Sequence, residues 1–191
     1  MTRILIIDGH PSGEPEHCVH ALTSAYHKGA DEQHEVRRVD ISQLEFAMLR
    51  EPRVWSATEP EEDILMAQKD IKWAEHIVIL YPLWLGDVPA LLKAFLEQVL
   101  RPGFAIEITA QAKWRGLLTG KSARLIVTMS TPAPIYRLFF RSHSVKSLKR
   151  QILHFVGIKP VFTTIIGRVD SWPGYRKKWL RRVEELGRRG R

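Results

Sequence analysis

Short apolar, β-branched runs alternate along this chain with stretches of helical period, and that alternation leaves few folds open. The run at residues 3–8, Arg-Ile-Leu-Ile-Ile-Asp, is continuously apolar at its centre, as a strand buried on both faces must be. Further runs lie at residues 35–39, 77–81, 123–129 and 161–166. Between them helices are predicted over about 16–29, 61–73, 87–100, 145–155 and 174–186. In the helix over 87–100, Val88, Leu91, Leu92, Phe95, Leu96 and Val99 recur at the spacing of one buried face. Pro102-Gly103 stops it, and Gly157 stops the helix over 145–155. Residues 42–62, with Pro52 and Pro60, read as irregular. Strands separated by helices imply a parallel sheet covered on both faces. The expectation is an α/β fold, a doubly wound sheet of five parallel strands in the order 2-1-3-4-5 with helices on both faces, forming a single domain over residues 1–191.

A sheet of this kind binds ligands beyond the carboxyl ends of its strands. Three segments there are unusual. The first is Gly9-His10-Pro11-Ser12-Gly13-Glu14-Pro15-Glu16. Its glycines, Ser12 and the helix start behind it can hold a phosphate through backbone N–H groups and the helix dipole; an ordinary Gly/Pro-rich turn fits the same residues. The second is Tyr81-Pro82-Leu83-Trp84-Leu85-Gly86-Asp87. A tryptophan in a strand-to-helix turn awaits a ligand or a second chain, unless it folds back into the core. The third is Thr128-Met129-Ser130-Thr131-Pro132-Ala133-Pro134, followed by Tyr136 and His143, the nearby side chains able to exchange a proton. No Walker lysine, G-x-G-x-x-G run, H-E-x-x-H pair, paired cysteines or G-x-S-x-G elbow occurs, so no metal site is expected and NTPase, Rossmann dehydrogenase and hydrolase chemistries are disfavoured.

Composition narrows the class further. Cys18 is the single cysteine, which excludes an intrachain disulfide and fits a reducing compartment. The apolar run near the amino terminus is too short for a signal-peptide core, and the longest apolar stretch, residues 77–85, is too short to span a membrane. A cytoplasmic protein not integral to the membrane is expected. The net charge of +8 is concentrated at one end: residues 176–191 hold eight basic and two acidic side chains, which leaves +2 for the rest. That pattern suits the solvated face of a last helix rather than a nucleic-acid surface.

At the three loops the chain resembles the NAD(P)H:quinone oxidoreductases of the flavodoxin-like fold, a family that includes modulator-of-drug-activity quinone reductases and flavoprotein subunits regulating potassium efflux. The matching pieces are His10-Pro11, Trp73-Ala74-Glu75-His76-Ile77-Val78, Pro82-Leu83-Trp84-Leu85-Gly86-Asp87-Val88-Pro89-Ala90-Leu91-Leu92-Lys93, Pro102-Gly103-Phe104-Ala105 and Ile152-Leu153-His154-Phe155-Val156-Gly157. They run in the same order over nearly the whole chain. The resemblance implies a bound flavin, FMN or FAD, reduced by NAD(P)H as co-substrate and reoxidised by a quinone-like acceptor in a ping-pong sequence. A regulatory subunit of an ion-efflux system is the alternative it implies. It puts His10, Glu16, His17 and Cys18 near the flavin phosphate and Pro82, Leu83, Trp84 and Leu85 along the ring. It gives Thr128, Met129, Ser130 and Thr131 backbone N–H groups that face the ring, and makes Tyr136 and His143 the catalytic pair. It also implies a homodimer, with the apolar run Ile135-Tyr136-Arg137-Leu138-Phe139-Phe140 at the contact. This chain departs from the family at Glu16-His17-Cys18, where a hydroxyl residue and an asparagine are usual. Leu85 replaces a second tryptophan, and Met129-Ser130-Thr131-Pro132 replaces a Thr-Thr-Gly-Gly turn.

Overall fold

A computed structural model describes residues 1–190, and the backbone alone at 56–57. The strands are β1 (Arg3–Asp8), β2 (Glu35–Asp40), β3 (His76–Pro82), a hairpin of β4 (Ile106–Ile108) and β5 (Trp114–Gly116), β6 (Ser122–Thr128) and β7 (Val161–Ile166). Five of them form one parallel sheet in the order β2-β1-β3-β6-β7, the doubly wound order expected. All seven residues of β3 are buried, as its central place requires.

The helices are α1 (Cys18–Asp31), α2 (Pro52–Ala57), α3 (Glu62–Trp73), α4 (Ala90–Val99), α5 (Ala133–Leu138), α6 (His143–Ser147) and α7 (Pro173–Arg188). Successive strand residues point to opposite faces, so the sheet builds two cores. Leu5, Ile7, Ile79, Tyr81, Leu125 and Val127 pack with Ile64 of α3 and Leu92 and Phe95 of α4. Ile4, Ile6, Val78, Leu80 and Ile126 pack under Leu22 and Tyr26 of α1 and Val183 of α7.

The structure corrects the sequence reading at several points. Residues 42–62 are not irregular throughout: they hold α2, with Pro52 in its first turn, where proline's fixed φ and missing N–H carry no penalty. Tertiary bonds hold this short helix. Trp55 Nε1 donates to Glu97 O at 2.9 Å, and the buried Arg101 donates to Thr58 O at 2.8 Å. The β4–β5 hairpin was not expected, because its strands have three residues each and no apolar run. Helix α4 starts at Ala90 rather than at residue 87, because Pro89 caps it and residues 84–87 close a turn of their own. The helix expected over 145–155 is α6 continued by a single π-helical stretch, Leu148–Leu153. Among the described residues no helix is long and apolar enough to cross a membrane.

Candidate active site

The loops after β1, β3, β6 and β7 meet along one edge of the sheet. Gly9 lets the chain leave β1 there: its N–H donates to Leu80 O at 2.7 Å, and a Cβ would lie 2.8 Å from that oxygen and 2.9 Å from Leu92 Cδ2. His10 follows, nearly buried, with its ring stacked on His17 at 3.9 Å and edge-on to Trp84 at 5.7 Å. Burial holds the His10 imidazole below its ordinary pKa. Ser12 turns away from the cleft: its Oγ accepts the Glu14 N–H at 3.2 Å and so orders its own loop.

The second loop is a tight turn in which Trp84 and Asp87 exchange two backbone bonds of 2.9 Å. Its central residues, Leu85 and Gly86, both take positive φ, +47° and +84°. Glycine adopts that conformation without cost, but a leucine there is strained by about 1–2 kcal/mol. Leu85 is also fully exposed and Trp84 half exposed. Packing within the chain does not account for a strained, solvent-facing leucine beside a half-exposed tryptophan.

In the third loop Met129 N–H donates to Ile166 O at 2.9 Å, so it extends the sheet and is not offered to a ligand. Of the four residues expected to present N–H groups, Ser130 and Thr131 lie past the last rung. The loop crosses Gly167 so closely that a Cβ on that glycine would sit 2.3 Å from Ala133 N. The rigid turn expected after Thr131 becomes α5, capped by Pro132 with Pro134 in its first turn.

Two clefts result, and Leu83, Met129 and Ser130 line both. The first, about 300 Å³, is polar and is faced by His10, Glu16, His17, Cys18, Pro82, Trp84 and Thr128. The second, about 430 Å³, is walled by Leu85, Thr131, Tyr136 and His143. Of the sequence-predicted site residues, Ser12 alone lines neither. Two polar residues were missed, Asp170 and Arg176, which reach the polar cleft from the β7 loop and from α7. The topology was the available signal, since the loop after the edge strand must open on the same side as the others. Arg176 is anchored by a 2.9 Å bond from Nε to Val169 O, and Ser130 Oγ meets Asp170 Oδ2 at 2.5 Å. Burial raises the Cys18 thiol above its ordinary pKa, which keeps it protonated and poorly nucleophilic.

Tyr136 is buried to 3% exposure and its hydroxyl lies 3.3 Å from Ser144 Oγ. His143 reaches the same cleft from the exposed start of α6. The two are brought together as cleft neighbours, but the phenol's partner is the serine.

The two-part cleft lies beyond the strand ends of a parallel, doubly wound sheet, the place where sheets of this class bind their ligands. The chain belongs to the flavodoxin-like fold family, whose model matches residues 2–185. It is similar to the human ribosyldihydronicotinamide dehydrogenase [quinone], 30% identical over 133 residues that cover 65% of this chain and 57% of that protein. It is also similar to FMN-dependent NADH:quinone oxidoreductase 2 of Photobacterium profundum, 27% identical over 100 residues, 52% of this chain and 51% of the other. The chain thus spans between half and two thirds of the length of these relatives. Among solved structures, an NAD(P)H:quinone oxidoreductase from Methanothermobacter marburgensis superposes with a TM-score of 0.82 at 22% identity over 98% of this chain and 96% of that one, a likeness of fold.

Proposed function

We propose that this chain is a flavin-dependent NAD(P)H oxidoreductase of the quinone type, a single cytoplasmic flavin-binding domain over residues 1–191 that works as a homodimer. The observation that carries the reading is the two-part cleft, polar and cation-bearing at one end and apolar-walled at the other, which suits a phosphate joined to a flat ring system. The names of the relatives, quinone reductases and an FMN-dependent enzyme, support it.

The residues present fit FMN or FAD. His10, His17, Arg176 and the N-terminus of α1 supply donors and positive potential for a phosphate at the polar end. Glu16 and Asp170 stand in the same cleft, so the phosphate is held by the balance Arg176 and the imidazoles provide against them. The Gly9 position admits no side chain, because β3 and Leu92 of α4 press against it, and this sets the path of the first loop toward the cleft. When bound, the flavin supplies two-electron redox chemistry that no side chain of the protein can provide. Trp84 and Leu85 form a wall that excludes water and orients the donor and then the acceptor. The Tyr136 hydroxyl, steadied by Ser144, donates a hydrogen bond to negative charge developing over the second cleft. His143 at the rim can hold a proton for the acceptor. NAD(P)H and a quinone-like acceptor use the same cleft in turn.

The test is reconstitution with FMN and with FAD, followed by anaerobic mixing with NADH or NADPH and then with a soluble benzoquinone. Bleaching of the flavin by the nicotinamide and recovery by the quinone, with parallel-line steady-state kinetics, are expected. A protein that takes up neither flavin at micromolar concentration sinks the reading.

A further inference from the structure

Behind the polar cleft lies a charge cluster built around Asp8. Its side chain is fully buried, and three donors converge on it. His20 Nδ1 lies 2.7 Å from Oδ2, an Arg38 guanidinium nitrogen donates to Oδ2 at 3.3 Å, and the His10 backbone N–H donates to Oδ1 at 3.2 Å. His20, on the first turn of α1, meets a second group on its other side: Nε2 is 2.8 Å from the Ser12 carbonyl oxygen.

Both partners of the His20 ring are acceptors. A neutral imidazole has one N–H and one lone pair, so in either tautomer a ring lone pair would face an oxygen lone pair at hydrogen-bond distance. The imidazolium alone donates on both sides. The charged and titratable groups that face it are Asp8 from β1, Arg38 and Asp40 from β2, which are themselves paired at 2.6 Å, and the rings of His10 and His17 at 5.1 Å and 5.9 Å. With His20 protonated, the cations His20 and Arg38 balance the carboxylates Asp8 and Asp40. Without that proton the cluster carries one net negative charge directly behind the loop that receives a phosphate.

We propose that His20, as an imidazolium, is a positioning residue that clamps the first loop to Asp8 and so orders that loop for the phosphate of a flavin. This rests on the flavin reading above. The clamp acts through Ser12. With its carbonyl held by His20, the Ser12 N–H donates to His10 Nδ1 at 3.1 Å. The Ser12 carbonyl oxygen lies equally close, 3.1 Å from the same nitrogen, so an ordered Ser12 pins the His10 ring beside the polar cleft. Without the His20 ring, Asp8 and the Ser12 carbonyl lose their shared donor, Ser12 and His10 are freed, and phosphate affinity falls.

Two measurements decide it. In the flavin-free protein, ring ¹⁵N correlation spectra, with His20→Gln to identify the signals, should show both His20 nitrogens protonated wherever the amides of His10 and Ser12 are protected from exchange. A neutral His20 ring beside a protected loop overturns the clamp. The second measurement is the FMN dissociation constant by fluorescence quenching. His20→Gln should bind FMN about tenfold more weakly than wild type, the loss expected for one charge-assisted bond. Riboflavin, which lacks the phosphate, should show no gap. An equal gap for FMN and riboflavin makes His20 merely structural. A wild-type protein that binds no FMN overturns the flavin reading, and the ring protonation then still decides the clamp.

Discussion

Tyr136 and His143 approach the same cleft under different constraints. The phenol is buried and anchored to Ser144, while the imidazole stands exposed at the start of α6. If the phenol donates to developing negative charge, Tyr136→Phe should slow flavin reduction by NAD(P)H roughly a hundredfold, the effect of removing one preorganised donor, about 3 kcal/mol. Ser144→Ala should slow it only about fivefold, because it removes the orientation and not the donor. The double variant should be no slower than Tyr136→Phe alone, since the serine acts through the phenol. Rapid-mixing absorbance of the flavin reads all three. Equal rates for wild type and Tyr136→Phe would leave the backbone of Ser130 and Thr131 as the remaining source of stabilisation. The same scale explains Ser12: a hydroxyl in a Gly/Pro-rich loop looks like a phosphate ligand in sequence, but a local bond to Glu14 N–H satisfies it first.

At the scale of elements, the polar end of the cleft depends on how α1 and α7 pack, since His17 and Arg176 belong to their starts. The two helices cross on glycines. A Cβ on Gly29 would lie 1.9 Å from Glu184 O, and one on Gly187 would lie 2.1 Å from Tyr26 O. Backbone is met on both sides, so no rotamer change relieves an added methyl. Gly187→Ala should therefore lower stability by about 3 kcal/mol in urea unfolding, although alanine is the better helix former. A stable Gly187→Ala protein would mean that the helices can part without loss. At the opposite end of the sheet, β3 starts with His76, whose Nδ1 lies 2.8 Å from Ser122 Oγ. Burial, then Arg124 and His34, pushes its pKa from 6.5 to about 4. The unfolded chain therefore binds this proton more readily, so the stability His76 contributes as a neutral ring is complete above pH 6.5 and is lost as pH falls toward 4. That loss is about 3 kcal/mol, and His76→Gln should remove it from the acid limb of the urea-unfolding free energy. An unchanged acid limb would place the ring in contact with water.

For the whole molecule the telling feature is where apolar surface stays exposed. Leu138 and Phe139, at the end of α5, are 80% and 79% exposed, and Leu85, in the loop after β3, is fully so. The neighbouring pair Leu138-Phe139 is a surface that a second copy would bury. Leu138→Asp combined with Phe139→Ser should convert a dimer to a monomer by light scattering at tens of micromolar and weaken flavin binding at least tenfold, with circular dichroism unchanged. A wild-type protein that is already monomeric at that concentration would rule out the contact.

The central strands β1, β3 and β6 were legible in the sequence because a strand buried on both faces must be apolar along its length, and the strand order and the edge where the clefts open were legible because the connections must cross over. Helix α4 was legible for the same reason: one face had to be apolar along its length. Helix α2 was not, since it depends on bonds to Glu97 and Arg101 that are distant along the chain. Nor was Arg176, because the crossing of α7 with α1 on glycines sets where the start of α7 lies; Asp170 stands in the loop after β7, for which the topology gave the side of the sheet and not the residue. His20 reads in sequence as one histidine among eight. The fold alone sets it between a buried carboxylate and a carbonyl, because hydrogen-bond geometry is fixed by partners the chain brings together only on folding.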